Sequence, residues 1–273
     1  MGVLENCESR EGDALLTTIT REYDRISIHG VRRSVLEAQV SALGLPLIEA
    51  AISPGASNAE YEAAFGSALR TARERWPGLH CIAFGDLFLT DVRAYREALL
   101  APLGWRGVFP LWGEHTTALA QHFVREGYRA LLTCVDTSQL APEFAGREFD
   151  AALLAELPAT VDPCGERGEF HTCVYAGPLF TRALPLIAGE RVRRDERFEY
   201  CDVVITASGA WSSAARCCRR WRGRGVSWPA AHHPRRSGSR ISVRLDLELR
   251  GYHPVVVARA SPSHTLGKGP TPG

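Results

Sequence analysis

Residues 45–84 have the sequence LPLIEAAISPGASNAEYEAAFGSALRTARERWPGLHCIAF, in which two short apolar runs flank one amphipathic stretch. The flanking runs, Leu45 to Ala51 and His80 to Phe84, have the length and the apolar content of buried strands. Between them, Ser57 and Glu60 stand at the spacing of a capping box, where each side chain satisfies an otherwise unpaired amide. An apolar stripe at helical spacing follows the box. A strand, a helix and a strand in this order are typical of an α/β domain.

The same alternation extends over about residues 13–135. We therefore predict an α/β fold with a Rossmann-like, mostly parallel sheet. The predicted strands are Ala14–Ile19, Leu45–Ala51, His80–Phe84, Gly107–Leu111 and Tyr128–Val135, with a further one near Phe198–Val204. The predicted helices are Val31–Ala42, Ser57–Trp76, Asp91–Leu103, Thr116–Glu126 and Asp150–Leu157, and Val161–Phe180 is predicted to be a long, structured loop.

Polar residues follow the predicted strands at the points where ligands bind in such sheets. In open parallel sheets the binding crevice lies beyond the carboxyl ends of the strands. The segments at those ends are Arg21 to His29, Gly85-Asp86, Trp112 to His115, and Asp136. These are the places where we expect a nucleotide or substrate to bind.

The segment Asp162–Cys173 has the densest set of reactive residue types in the chain. It carries two glutamates three positions apart, Glu166 and Glu169, followed by His171 and Thr172. Such a set could hold a magnesium ion, orient an amine or act as a general base. A polar loop that only forms turns and caps has the same composition, so composition leaves both interpretations open.

This loop, together with Gly177-Pro178-Leu179-Phe180, closely resembles the signature loop of the diphthine–ammonia ligase family. That family belongs to the PP-loop ATP pyrophosphatases and has an adenine nucleotide alpha hydrolase-like fold. The resemblance covers about residues 13–204. The other matching stretches, in the same order as in the family, are Ser27–Arg32, Gly85-Asp86 with Asp91–Glu97, Pro110–Trp112, Gly127–Ala130, and Leu140 leading to Gly146-Arg147.

The resemblance implies an ATP-dependent, amide-forming ligase. In the family, ATP adenylates a carboxylate, ammonia attacks the acyl-adenylate, and AMP and pyrophosphate leave. The carboxylate is that of diphthine, a modified histidine on elongation factor 2. Magnesium is expected with the phosphates. The partners that the resemblance implies are therefore ATP, ammonia and a carboxylate substrate such as diphthine on elongation factor 2.

The resemblance also assigns site residues by position. For several of them a purely structural role stays open as an alternative to a role in binding. Arginines suit phosphates because their forked donors pair in a bidentate way. Arg93 and Arg96 could instead lie on a solvated helix face, His29 could be a hydrogen-bonded loop residue, and Trp112 could belong to the core. No metal ligands are assigned. The implied catalytic residues are Glu166, Glu169, Thr172 and His171, and the implied cofactor-binding residues are His29, Gly85, Asp86, Arg93, Arg96 and Trp112.

One part of the family pattern is missing from the sequence. Family members begin with a strand and a Ser-Gly-Gly-x-Asp-Ser loop whose amides cradle pyrophosphate. No Ser-Gly-Gly occurs in these 273 residues. We expect an N-terminally truncated family member that lacks a strand near the centre of the sheet. Unpaired neighbouring strands would favour a homo-oligomer or pairing with another chain.

The last part of the chain differs in charge from the rest. Residues 1–204 contain 20 Arg, no Lys and 29 acidic residues, a net charge of −9, whereas residues 205–273 contain 11 Arg, one Lys and two acidic residues, a net charge of +10. We therefore predict one domain at 13–204 and a basic tail at 205–273, with a possible hairpin at 241–258. The tail has the composition of an out-of-frame reading of GC-rich DNA, or it binds nucleic acid or an acidic surface. The lack of an RNA-binding motif argues against specific nucleic-acid binding.

Several classes of protein are disfavoured by the composition. The start of the chain has no signal-peptide pattern, and no apolar run reaches the roughly 18 residues of a membrane span, so we expect a cytoplasmic protein. The eight cysteines form no C-x-x-C pair, which argues against a zinc ribbon. Two other functions stay open: a non-catalytic nucleotide- or ligand-binding remnant, and an unrelated α/β hydrolase that uses Cys164 and His171.

Overall fold

The computed structural model describes residues 14–206 and 255–258. In chain order the strands are β1 (Ala14–Thr20), β2 (Arg25–Ile26), β3 (Leu47–Ile52), β4 (Cys81–Ala83), β5 (Arg106–Val108), β6 (Arg129–Asp136), β7 (Phe170–Ala176), β8 (Leu186–Arg194), β9 (Phe198–Ile205) and β10 (Val255–Ala258). The helices are α1 (Arg33–Leu43), α2 (Asn58–Arg75), α3 (Thr90–Leu100), α4 (Thr116–Arg125) and α5 (Ala151–Glu156), with short 3-10 turns between some of them. None of the described helices is long and apolar enough to cross a membrane.

The capping box predicted before α2 is half confirmed. The hydroxyl of Ser57 accepts a hydrogen bond from the backbone N–H of Glu60 at 3.3 Å, as the motif requires. The carboxylate of Glu60, however, accepts from the N–H of Ser53 at 3.1 Å and not from that of Ser57. Glu60 therefore fixes the loop between β3 and α2 as well as the helix start.

The first sheet has the mostly parallel architecture that the sequence predicts. β1 pairs in parallel with β3, and β4 pairs in parallel with β5. On its other edge β1 pairs with β2 and with β10, both antiparallel. β10 is also antiparallel to β4, so β3, β1, β4 and β5 all run in one direction. The fold class is thus confirmed.

β10 lies at the place where a strand was expected to be missing. Leu15 and Ala83 both stand opposite Val256, so the C-terminal strand fills the space between β1 and β4. β10 lies within the segment 241–258, for which a hairpin is predicted. The other arm of the predicted hairpin, at 241–250, lies outside the described residues, as does most of the basic tail.

A second sheet, with the strand order β7-β6-β9-β8, was not predicted. Its three pairings are all antiparallel. The expectation that residues 128–135 continue the parallel sheet is therefore wrong. The prediction of one unbroken loop at Val161–Phe180 is also wrong, because β7 lies inside that segment. β8 could not be predicted from the sequence, because eight of its nine residues are exposed and show no apolar alternation.

The two faces of β1 contribute to two different cores. Leu15 packs with Val35 of α1 and with Tyr175 of β7, so this core continues into the second sheet. Leu16 faces the other way and packs with Phe65 of α2. Because consecutive strand residues alternate in direction, β1 is covered on both faces, as a strand of a parallel sheet must be.

An ion-pair cluster joins the two sheets at their surface. Asp202 of β9 accepts hydrogen bonds from Arg25 at 2.8 Å and from Arg32 at 3.0 Å. Burial tends to raise the pKa of Asp202, but the hydrogen bonds from Arg32 and Arg25 outweigh it and lower that pKa. The turn after β2 is thereby held against β9, which fixes the position of His29 relative to the second sheet.

Candidate functional site

Glu166 connects the loop before β7 to the loop that follows β4. Its Oε1 accepts the backbone N–H of Leu87 at 2.7 Å and that of Phe88 at 3.4 Å. Only 7% of Glu166 is exposed. Among residues 14–206, no hydrogen bond reaches its other oxygen, Oε2. One carboxylate oxygen is thus anchored, and the other is available to a ligand.

The surroundings of Glu166 favour its protonated form. Burial raises its pKa to about 7, and the carboxylates of Asp86 and Asp162 add to that effect, while the backbone hydrogen bonds from Leu87 and Phe88 oppose it. A group with a pKa near 7 exists in both forms at neutral pH. It can therefore accept or donate a proton, as a general base or acid must.

Glu169 shapes the loop instead of facing a ligand. It is 1% exposed, and its two oxygens accept the backbone N–H groups of Asp162 and Arg167, each at 2.9 Å. Gly165 lies between these residues with a φ of +69°, a conformation that glycine adopts without strain. Both carboxylate oxygens of Glu169 therefore stabilise the turn that contains Glu166.

His171 contacts His29 across the two sheets. The ring centroids are 4.6 Å apart with an interplanar angle of 48°, and both residues are buried. One histidine lies on β7 and the other in the turn after β2. Thr172 follows His171 on the same strand, so its side chain lies on the opposite face of the second sheet. The structure brings the two histidines together and separates Thr172 from them.

Asp86 and Arg96 form a buried pair beside Glu166. Nη2 of Arg96 donates to Oδ1 of Asp86 at 3.1 Å, and Nε lies 2.8 Å from Oδ2. The guanidinium also lies over the ring of Phe84, 4.4 Å from its centroid. Arg96 is therefore not on a solvated helix face. It neutralises Asp86 and holds the start of the loop that carries Leu87.

Arg93 and Trp112 form a separate stack on the outside of this loop. The guanidinium of Arg93 lies 4.7 Å from the ring centroids of both Phe109 and Trp112, and its Nε donates to Glu97 at 3.0 Å. Trp112 is half-buried, and Arg93 covers one face of its ring. Gly85, by contrast, is exposed, with open space where a Cβ would stand.

Among the described residues, the groups expected at the phosphates of a nucleotide are engaged with other parts of the chain. Arg93 and Arg96, the two arginines expected at the phosphates, are both engaged by carboxylates and aromatic rings. No cluster of three or more His, Cys, Asp or Glu side chains suited to a metal ion occurs in the part of the chain that the structure describes. This region contains a buried carboxyl group with a raised pKa, that of Glu166.

The surroundings of Cys164 disfavour the nucleophilic thiolate form of its side chain. Burial raises its pKa to about 12, and the nearby carboxylates of Asp162 and Glu166 act in the same direction. Its Sγ donates to the carbonyl of Thr116 at 3.3 Å. A protonated, hydrogen-bonded thiol is a poor nucleophile, which argues against a hydrolase that uses Cys164.

Comparison with known proteins identifies the second half of the described chain. Residues 115–205 match the model of the diphthamide synthase C-terminal domain. This part of the chain is therefore similar to that domain. The diphthamide synthase C-terminal domain contains the whole second sheet and four of the predicted site residues, namely Glu166, Glu169, His171 and Thr172. His29, Asp86 and Arg96 lie before it.

A relative supports the same family. A diphthine–ammonia ligase of Schizosaccharomyces pombe (strain 972) is 27% identical over 135 residues, which cover 48% of this chain and 22% of that protein. The chain therefore matches about a fifth of that relative's length. The resemblance that the sequence motifs indicate is confirmed at the level of the family.

Proposed function

We propose that this chain contains the amide-forming centre of an ATP-dependent ligase of the diphthine–ammonia type. The observation that carries the proposal is the buried carboxyl group of Glu166, whose pKa is raised to about 7 within a diphthamide synthase C-terminal domain. The name of the Schizosaccharomyces pombe relative supports the reaction class. Ammonia, ATP with magnesium and a diphthine-like carboxylate are the proposed substrates and cofactors.

Glu166 acts in this proposal on the attacking nitrogen. In its ionised form it accepts a proton from that nitrogen as the new C–N bond forms and the acyl–oxygen bond to AMP breaks, so that AMP leaves. It releases the proton to solvent afterwards. The anchored Oε1 keeps the carboxyl group in place, while Oε2 meets the amine. General-base catalysis of this kind contributes about 10²- to 10⁴-fold to a rate. Asp86 and Asp162 tune the protonation, and Glu169 shapes the turn.

We further propose that the 273 residues have little ATP turnover by themselves. The Ser-Gly-Gly-x-Asp-Ser loop is not among them, and the arginines that could replace it are engaged in internal pairs. The second candidate function, a non-catalytic binding remnant of the family, draws on the same observation. The two candidates differ in whether any AMP forms.

The test measures AMP and pyrophosphate from ATP, magnesium, ammonium and a diphthine-containing acceptor. The full chain is compared with Glu166→Gln and with Glu190→Gln, an exposed residue of β8. Slow AMP formation that depends on ammonium and disappears in Glu166→Gln supports the ligase. Nucleotide binding by calorimetry without AMP formation supports the remnant. Rapid turnover contradicts the proposed impairment, and the absence of both binding and AMP overturns both candidates.

A further inference from the structure

The outer edge of β3 forms the floor of a cleft whose lining does not include Glu166. α1 packs on one face of the first sheet and α2 on the other, and residues of both helices line the cleft. The cleft between them has a volume of about 610 Å³. Within residues 14–206 and 255–258, β3 pairs only with β1, on its opposite edge. The cleft therefore exposes an unpaired strand edge between two helical walls.

The register of β3 fixes which backbone groups face the cleft. The N–H of Leu15 donates to the carbonyl of Pro46 at 2.8 Å, and in a parallel ladder the partner residues alternate along the strand. Ile48 and Ala50 therefore direct their backbone groups to β1. Leu47, Glu49 and Ala51 direct theirs into the cleft, as the bond from Arg21 to the carbonyl of Ala51 at 3.0 Å shows independently.

Three arginines and two glutamates line the cleft, so its lining carries a net charge of +1. In the middle, Arg33 pairs with both glutamates, with Glu49 through two hydrogen bonds of 2.9 Å each and with Glu37 at 3.6 Å. Arg21 and Arg75 also line the cleft, and neither forms a salt bridge within the described part of the chain, although the charge of Arg21 also acts on Glu60 outside the cleft. Arg21 reaches the last part of β3. Because α2 starts after β3 and runs back along it, Arg75 in its last turn lies towards the other end.

We propose that this cleft, the β3 edge cleft, binds an extended acidic segment of a partner protein as an added strand. Leu47 and Glu49 supply main-chain donors and acceptors, and Ala51 supplies its N–H, since its carbonyl already accepts from Arg21. The two arginines meet carboxylates near the ends of the segment. A segment of about five residues, roughly 17 Å long, spans this edge. A second copy of the chain fits less well, because pairing two β3 edges brings the same arginines together.

The test uses a fluorescent seven-residue peptide with Glu and Val alternating, titrated with the full chain at low salt and followed by anisotropy. We expect saturable binding that weakens as salt increases. A peptide with Lys in place of Glu should not bind. A peptide with alternate backbone nitrogens methylated keeps its charges but cannot pair with a strand, and it should bind at least tenfold more weakly.

Variants of the chain test the arginines. Arg21→Glu together with Arg75→Glu should weaken binding at least tenfold. Arg70→Glu is the matched control, because this exposed residue lies on α2 and does not line the cleft, and it should bind like the parent chain. Equal binding by the methylated peptide, or no effect of the double charge reversal, overturns the proposal. The absence of peptide binding also overturns the proposal. If sedimentation then shows that the chain pairs with itself, and the double variant Arg21→Glu with Arg75→Glu strengthens that pairing, the cleft binds a second copy of the chain instead.

Discussion

The backbone N–H of Leu87 donates to Oε1 of Glu166 at 2.7 Å, and this bond joins a loop of the first sheet to a loop of the second. The acceptor is a buried carboxyl group whose pKa is raised to about 7. Its ionisation therefore affects the stability of the fold as well as the proposed chemistry. The same carboxyl group can be studied without any substrate.

We expect Glu166→Gln to change how stability depends on pH. A carboxyl pKa raised to about 7 in the folded state, from a usual value of 4.5, means that the folded chain binds more protons between those pH values. The contribution of Glu166 to stability is therefore greatest below pH 4.5 and falls as pH rises to about 7. The fall is of the order of 2–3 kcal/mol.

Urea unfolding of the parent chain and of Glu166→Gln at pH 5 and pH 8 measures this effect. Glutamine keeps the acceptor for Leu87 but does not ionise, so the variant should gain in relative stability at pH 8. Glu190→Gln, on the exposed strand β8, should show no such change. A constant difference between Glu166→Gln and the parent across this pH range would show that Glu166 titrates normally.

Asp136 and Arg197 should contribute measurably to stability. Burial alone raises the pKa of Asp136, but hydrogen bonds from Arg197 and Ser138 outweigh it and hold that pKa well below its usual range. Arg197 donates through Nε at 2.9 Å and through Nη2 at 2.6 Å. We expect Arg197→Met to cost about 2 kcal/mol at pH 7, because it leaves a buried carboxylate without its cation.

The low pKa of Asp136 also sets the direction of the pH effect. Its stabilisation is present above the unfolded pKa near 4 and decreases as pH falls, so the cost of Arg197→Met should shrink in acid. Arg193→Met is the control, since the pair of Arg193 with Glu199 lies on the exposed hairpin and should cost less than about 1 kcal/mol. Equal losses in the two variants by urea unfolding at pH 7 would contradict this account.

Gly165→Ala should disturb the turn that presents Glu166. A Cβ at Gly165 would stand 2.7 Å from the backbone oxygen of Phe170, in addition to the strain of a φ of +69°. Gly127 has a similar φ of +79° with nothing within 4 Å of a Cβ, so Gly127→Ala carries the backbone strain alone, about 1–2 kcal/mol. Thermal unfolding should show a clearly larger loss for Gly165→Ala, and equal losses would mean that the turn relaxes.

Val257→Pro should open the centre of the first sheet. Val257 stands opposite Ala14 on one side and Ile82 on the other, so a proline there removes a ladder hydrogen bond from an interior strand. We expect aggregation by light scattering or a loss of about 3 kcal/mol or more. Val257→Ile retains the N–H and should behave like the parent. Unchanged solubility and stability in Val257→Pro would show that β10 is dispensable.

Short apolar runs and helical periodicity were sufficient to predict β1, β3, β4 and β5 with the helices between them, but not β2 or the place of β10 in the sheet. The continuous apolar run Ala14–Ile19 is buried throughout, and the stripe after Ser57 lies on a helix with one buried face. Cys81 and Cys134, which also lie in apolar strand-like runs, are buried in the core at 2% and 1% exposure. A local pattern predicts such elements because the polarity of each side chain matches the burial of the face on which it lies.

The site could be predicted only in part, because its key donors are backbone groups. The motif located Glu166, but nothing in the residue types of Leu87 and Phe88 indicates that their amides bind it. Glu169 has the same chemistry as Glu166 and differs only in facing its own turn. Which glutamate faces a ligand depends on packing between the two sheets, which no local pattern reports.

The position of β10 has a consequence for how the chain is made. Ala14 pairs with Val257, so some 240 residues separate two neighbours in the middle of one sheet. A ribosome releases the N-terminal partner long before the C-terminal one. Contacts of such high sequence separation form late and slow folding. During synthesis the edges of β1 and β4 that pair with β10 therefore remain unpaired. A chaperone that shields these edges should raise the yield of folded protein.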